Sequence, residues 1–375
     1  MTLKLTRRSL LCAAAALAAP KSRIESVETI SHQPSLFSGW PTLARRRNGE
    51  LLVAYSGGRE AHVCPFGRVE LMRSSDNGKT WSWPQVVMDT PIDDRDAGVL
   101  ETPKGAILVT TFTSLAYQKT LGEAKDWNAG RLERWRSVER ATTAPQRDAL
   151  LGSWYLRSND GGLTWPAPRR IPVTNPHGPV ALRDGRLIWP GVRHPDKTHA
   201  MEVYESKDDG ATWRRLAGIP TRPGDDPLQY HELHAVETSG KRIIVQIRNH
   251  NQANAGETLQ SESDDGGRTW SVPHPIGVWG LPSHLLRLSD GRLLMSYGHR
   301  RAPRGNHARL SEDHGRTWSE PVVLSDDGTG DLGYPSTVEL PGGQLLTLWY
   351  EVRLAASAAP QPPAVLRLAR WTLGG

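Results

Sequence analysis

Tyrosine, glutamate, aspartate, histidine and arginine recur in this chain at a fixed place relative to a series of glycine turns. Seven to nine residues before those turns stand Trp40, Asp96, His177, His231 with Glu232, His284 and Tyr334. Eight to ten residues after them stand Arg59, Thr113, Arg193, Arg248, Arg300 and Glu351. Guanidinium groups hold carboxylates through paired, charge-assisted hydrogen bonds. Glu, Asp, His and Tyr side chains move protons to and from a bound substrate. Taken singly, an Arg or Asp at a strand end is ordinarily a solvated loop residue. Several arginines at equivalent positions with a Glu and a Tyr point instead to a binding or catalytic site.

Those positions mean something only if the elements between them repeat, and they do. Apolar segments flank a small turn at Asn48-Gly49, Lys104-Gly105, Asp184-Gly185, Ser239-Gly240, Asp290-Gly291 and Gly342-Gly343, each a hairpin signal. Five of the six hairpins are followed by the phrase Ser-x-Asp-x-Gly-x-Thr-Trp, at Ser74–Trp81, Ser158–Trp165, Ser206–Trp213, Ser263–Trp270 and Ser311–Trp318. In that phrase Asp folds back onto nearby backbone N–H groups, Gly takes a positive φ, and Trp anchors the turn. A hairpin, a third strand, the Asp turn and a fourth strand make one blade. The fold class expected is therefore all-β, a six-bladed propeller of four-stranded antiparallel blades. The sixth unit lacks the phrase, so Ala364–Leu373 and an early strand near Ile24–Ile30 are expected to close the ring. In such blades both turn types share one rim, and the residues named above converge on the opposite face near the axis. One irregularity stands out: about 34 extra residues, 117–150, in the second blade read as a partly helical insertion, with a plain surface loop as the alternative.

Composition narrows the class. The chain has 375 residues with 28 Pro, 36 Gly, 14 Trp and three Phe, which suits short strands and tight turns. Residues 1–20 read as an export signal: Thr6-Arg7-Arg8-Ser9-Leu10-Leu11 opens an Ala-rich apolar stretch that ends in the cleavage pattern Ala16-Leu17-Ala18. The arginine pair resembles a twin-arginine signal, with an ordinary secretory signal as the alternative. Either predicts a periplasmic or extracellular protein, with 21–375 as its propeller. The net charge of +6 falls to +3 without Lys4, Arg7 and Arg8, too mild to argue for nucleic acid. Beyond the N-terminus no apolar run is long enough to span a membrane. Of the two cysteines, Cys12 and Cys64, the first lies in the signal, so no internal disulfide is expected.

The five Asp phrases are Asp-boxes, and from about Phe37 to Glu351 the chain resembles the sialidase (neuraminidase) superfamily of six-bladed propellers. Asp-boxes alone say little about function. More specific is Gly333-Tyr334-Pro335-Ser336-Thr337, similar to the sialidase segment that carries the nucleophilic tyrosine. The resemblance implies that Glu232, in Tyr230-His231-Glu232-Leu233-His234, activates Tyr334. It likewise makes Arg248 and Arg300 the second and third arginines that hold a substrate carboxylate, and matches Arg59 to the arginine after the first blade's second strand. The family's first clamp arginine is missing: Gly39-Trp40-Pro41-Thr42 stands where it would be. Trp40 then offers an apolar wall or a stacking face, and Arg59 is a candidate to swing in. Glu60, His62 and Asp96 compete for the acid/base role, and His62, His231 and His284 are further candidates to contact substrate.

By this resemblance the chain is an exo-acting glycoside hydrolase that retains anomeric configuration and releases a terminal sialic acid or related acidic sugar, with a glycan or glycoconjugate as partner. A tyrosine nucleophile suits such a sugar because it is neutral, whereas the anomeric carbon carries its own carboxylate. Two alternatives stay open. One is a polysaccharide lyase acting on uronates, to which the histidines are suited; the other is a carbohydrate-binding propeller without chemistry. No cofactor is implied, and a metal site at His231 and His234 is not favoured, because such spacing in a strand fits solvated rim residues equally well.

Overall fold

The computed structural model describes residues 18–194, 199–354 and 362–374. The proposed export segment, Cys12 included, lies almost wholly outside the described residues.

The described chain is built of short antiparallel hairpins placed end to end. The first group is β1 (Ser22–Thr29), β2 (Phe37–Arg45), β3 (Leu51–Arg59), β4 (Arg68–Ser74) and β5 (Gln85–Met88). Next come β6 (Asp93–Glu101), β7 (Ile107–Ser114), β8 (Ser153–Ser158) and β9 (Arg169–Ile171). The third group is β10 (Val173–Thr174), β11 (Val180–Ala181), β12 (Leu187–Arg193), β13 (Met201–Ser206) and β14 (Arg214–Gly218). The fourth is β15 (Tyr230–Glu237), β16 (Ile243–Asn249), β17 (Glu257–Ser263) and β18 (His274–Trp279). The fifth is β19 (Ser283–Arg287), β20 (Leu293–His299), β21 (Arg304–Ser311) and β22 (Val322–Gly328), and the last β23 (Leu332–Glu339), β24 (Gln344–Val352) and β25 (Ala364–Leu373).

Six separate four-stranded sheets were expected; the described strands form five. Three have four strands, one has five because β10 and β11 split one strand between them, and one has eight, ordered β23-β24-β25-β2-β3-β4-β5 with β1 on β25. The eight-stranded sheet arises because β25 touches β2 through a single parallel pair, Phe37 with Ala364. The C-terminal strand pairs antiparallel with β24 along its length and with β1 on its other side, so the two chain ends are tied together. The first strands of successive groups adjoin about an axis: β2 beside β6, β15 beside β19, β19 beside β23, and β23 back beside β2. Between β6 and the third group the backbones come so close that a Cβ on Gly98 would meet Gly178 N at 2.6 Å. The architecture is thus an all-β propeller, and every hairpin buries its Val, Leu and Ile faces against its neighbours.

The Asp phrases behave as their chemistry requires. In Ser311–Trp318, Asp313 Oδ1 accepts from Ser311 Oγ at 2.8 Å and Thr317 N at 2.9 Å, while Oδ2 accepts from Thr317 Oγ1 at 2.6 Å. Gly315 sits at φ +84°, and its N–H donates to Ser311 Oγ at 2.7 Å. Each phrase joins the last two strands of its group. The stretch 117–150 is largely helical: α1 (Ala116–Gly122), α2 (Ala129–Ala141) and α3 (Ala144–Leu150), packed through Tyr117 and Trp135 onto Cys64 and Ile92. Among the described residues no helix is long and apolar enough to cross a membrane.

Candidate active site

The innermost strands carry a shared distortion at the end opposite the glycine turns. Trp40, Asp96, Glu232 and Tyr334 have positive φ, at +51°, +45°, +34° and +53°, although none is Gly or Asn. Each coincides with a slip in strand pairing: between Gly39 and Thr42, Arg95 and Gly98, His231 and Leu233, and Gly333 and Ser336. A bulge places one residue out of step and re-aims its side chain. Positive φ in such residues costs on the order of 1–3 kcal/mol each and persists only where the surroundings over-determine it. Four such bulges at the same end of the innermost strands mark a candidate functional centre.

At that centre the Tyr334 hydroxyl donates to Glu232 Oε1. Arg248 Nη1 donates to Glu232 Oε2 at 2.6 Å and to the Tyr334 oxygen at 3.2 Å, while its Nε reaches His250 at 2.7 Å. Burial alone would raise the Glu232 carboxyl, but the charge of Arg248 and the hydrogen bonds from Tyr334 and Arg248 outweigh it and hold Glu232 below the usual Glu range. Burial first, then the neighbouring Glu232 charge, pushes the Tyr334 phenol well up, so it is a neutral donor facing an ionised acceptor. Beside them burial raises the Asp96 carboxyl to about 7, with Arg95 opposing and Glu232 adding to the rise.

Arg300 lies next to this group. Its Nη2 is 3.3 Å from Asp331 Oδ1, and its Nε donates to Leu332 O at 3.0 Å. Asp331 also accepts from the Tyr350 hydroxyl at 2.6 Å and stands 3.3 Å from His62 Nδ1. Burial would raise the Asp331 carboxyl; His62 and Arg300 reverse that and hold it low. His62, about half exposed, shares a cavity of about 290 Å³ with Phe37, Asp331 and Thr120 of α1.

Several expected contacts are not made. Arg59 is fully buried and bound to Asp93 by two bonds of 2.5 and 3.0 Å, with Ala61 O and His62 O taking its other donors. It cannot swing toward a ligand without breaking a buried ion pair. Glu60 points away from Tyr334: it accepts from Arg134 Nε at 2.9 Å and Trp135 Nε1 at 3.1 Å, and so anchors α2. Trp40 is 1% exposed and presents no open stacking face. Its ring packs against His62 and Tyr350 and carries the Arg59 and Arg95 guanidinium groups at 4.8 and 4.5 Å. His284 is too far down its strand, level with Thr337, whose N–H faces its Nδ1 at 3.4 Å. There it joins His177 and His234 in lining an axial cavity of about 450 Å³ that opens toward the glycine turns. His231 stays on the rim between His199 and His250. Glu351 faces outward to Arg353 and Arg367, and its neighbour Tyr350 takes the inward place.

Arg95, Asp331 and Tyr350 were not found from the sequence. Only the ionisable pair Arg95-Asp96 beside a recognised offset signals the first; Asp331 lies outside the offset window. Tyr350 stands one residue from Glu351, and a single step along a strand changes the face.

Comparison with known proteins follows the same lines. Residues 126–346, more than half of the chain, match the BNR repeat-like domain. A sialidase of Micromonospora viridifaciens is 26% identical over 302 residues, which cover 80% of this chain but only 36% of that protein. The chain therefore spans about a third of that relative's length. Among solved structures, a Dyadobacter fermentans protein of unknown function superposes with a TM-score of 0.75 at 23% identity, over 95% of this chain and 100% of that one. A Hadza microbial sialidase gives 0.63 at 19% identity, over 86% of this chain and 65% of its own. These similarities to solved structures show the fold alone. Asp-box turns, propeller sheets and the domain match agree: the chain belongs to the BNR repeat-like domain family and is a BNR-repeat protein of the sialidase superfamily.

Proposed function

We propose that this protein is an exported glycosidase of the sialidase type, releasing a terminal acidic sugar with retention. Its ring is counted as six blades, the eight-stranded sheet being two blades joined at the Phe37–Ala364 bridge. Export rests on the Arg7-Arg8 segment of the sequence. One observation carries the chemical reading: the Tyr334 hydroxyl donates to a Glu232 carboxylate that Arg248 keeps ionised.

Tyr334 Oη attacks the anomeric carbon while its proton passes to Glu232. The leaving oxygen takes a proton from Asp96, whose buried carboxyl is raised to about 7 and is therefore largely protonated in mildly acidic solution. Water, giving its proton to the Asp96 carboxylate, then attacks the glycosyl–tyrosine, and Glu232 returns its proton to the phenolate. Asp96 is preferred to Glu60 because Glu60 is engaged by Arg134 and Trp135, and to His62 because the His62 ring is paired with Asp331.

The test is Tyr334→Phe, which keeps the ring and removes the bond-making oxygen. Turnover of aryl glycosides of acidic sugars should be lost while product affinity changes little. A Phe variant that turns over near the parent's rate ends the nucleophile assignment.

A further inference from the structure

Four arginines surround the Tyr334 centre, and three already have carboxylate partners of their own. Arg59 is held by Asp93 in two bonds, Arg248 by Glu232 at 2.6 Å, and Arg300 by Asp331 at 3.3 Å. Arg95 has only a share of one: its ion pair, at 3.6 Å, is with Asp93, the carboxylate that Arg59 already holds. Among the described residues its guanidinium makes no hydrogen bond, and its Nε is buried with no acceptor. The side chain is only 12% exposed, so water does not fully replace the missing partners. A guanidinium has five donors, and leaving them unmet out of water is unfavourable unless something else arrives to accept them.

The surroundings hold that head in place for such an arrival. It lies 4.5 Å from the centroid of the Trp40 ring, a cation–π contact that fixes the guanidinium plane without consuming its N–H groups. Its residue directly precedes Asp96 within the bulge of β6, the same distortion that turns Asp96 into the site. Position 40, occupied by an indole, cannot itself hold an anion; the indole instead carries the neighbouring cation.

We infer that Arg95 is the anion-reading group of this site: it takes the carboxylate of an acidic sugar on a guanidinium whose one ion pair, to Asp93, is long and shared with Arg59, with Trp40 as its platform. This rests on the glycosidase reading for the sugar, and on geometry alone for the anion. Arg248 and Arg300 are then chiefly positioning groups, the first for Glu232 and the second for Asp331.

The probes are sialic acid and glucuronic acid with their methyl esters, titrated calorimetrically into the parent, Arg95→Gln and Arg95→Lys. The parent should prefer at least one acid over its ester by roughly 10- to 100-fold, the span of a charge-assisted pair. Arg95→Gln should erase that preference, and Arg95→Lys, which keeps the charge but not the fork, should keep part of it. Should Arg95→Gln fail to fold, Arg95→Lys decides alone, and an acid preference equal to the parent's overturns the proposal. A parent that binds neither acid, or acid and ester alike, also overturns it, as does Arg95→Gln with the preference intact. The two readings fail separately: turnover surviving in Tyr334→Phe removes the glycosidase mechanism and leaves the binding result standing.

Discussion

Replacing Arg248 by Met keeps the aliphatic bulk and removes the charge against which Glu232 is ionised. At 2.6 Å and an effective dielectric near 20, the gross attraction is roughly 6 kcal/mol, partly offset by the cost of desolvating both groups. Removing one partner of such a pair typically costs about 3–5 kcal/mol. The side chains are 15% and 17% exposed, so the lower end applies. The pH dependence is the sharper test. In the parent Glu232 titrates below the ordinary Glu value, so its contribution is present above the unfolded pKa of about 4.3 and lost as pH falls through the folded one. In Arg248→Met burial is opposed chiefly by the one hydrogen bond from Tyr334, and the folded pKa is expected to rise above the unfolded one. The penalty is then absent below about pH 4 and grows with pH until the folded carboxyl itself ionises. Urea unfolding at pH 5 and pH 8 should show a deficit of about 3 kcal/mol at pH 8 that shrinks toward about 1 kcal/mol at pH 5, the remainder being lost hydrogen bonds. Adding Glu232→Gln should recover most of the deficit at pH 8. Equal deficits at the two pH values, or no recovery in the double variant, would refute the reasoning that Arg248 serves Glu232.

Three further outcomes are expected. Hydrolysis should decline as pH rises through about 7, where Asp96 loses the proton it donates, and a decline that survives in Asp96→Asn would assign the limb to another group. Asp313→Ala removes the acceptor of three hydrogen bonds of 2.6–2.9 Å in a half-exposed turn and should cost about 1–3 kcal/mol at pH 7 by urea unfolding; a neutral change would mean that the Asp-box turns do not stabilise the blades. Glu60→Gln should open α2 to proteolysis around residues 122–143 while sparing turnover, because Glu60 binds Arg134 and Trp135 rather than the site; an inactive, protease-resistant variant would restore Glu60 as a catalytic candidate.

The repeats were legible in the sequence because their chemistry is local. An Asp accepting from a Thr four residues on, and a glycine turn between apolar runs, need no distant partner, so the five phrases and six hairpins announced an all-β propeller directly. The meeting of Tyr334, Glu232 and Arg248 was legible for a related reason: equal offsets from equivalent turns bring residues to equal heights. What the sequence could not carry was the parity of side chains at the bulges. Once β6 slips at Asp96, adjacent Arg95 and Asp96 both belong to the site, whereas in the regular β24 the step from Tyr350 to Glu351 changes the face. Counter-ions were equally hidden. Arg59 is neutralised by Asp93, 34 residues on, and Arg300 by Asp331, while Arg95 has only a 3.6 Å share of Asp93, and only the packed sheets decide which guanidinium is left without a carboxylate of its own. The same holds for the sheet count, which one parallel contact between Phe37 and Ala364 lowers from six to five. Local hydrogen bonding is written in short phrases of sequence; charge compensation and strand slip depend on residues brought together from far along the chain.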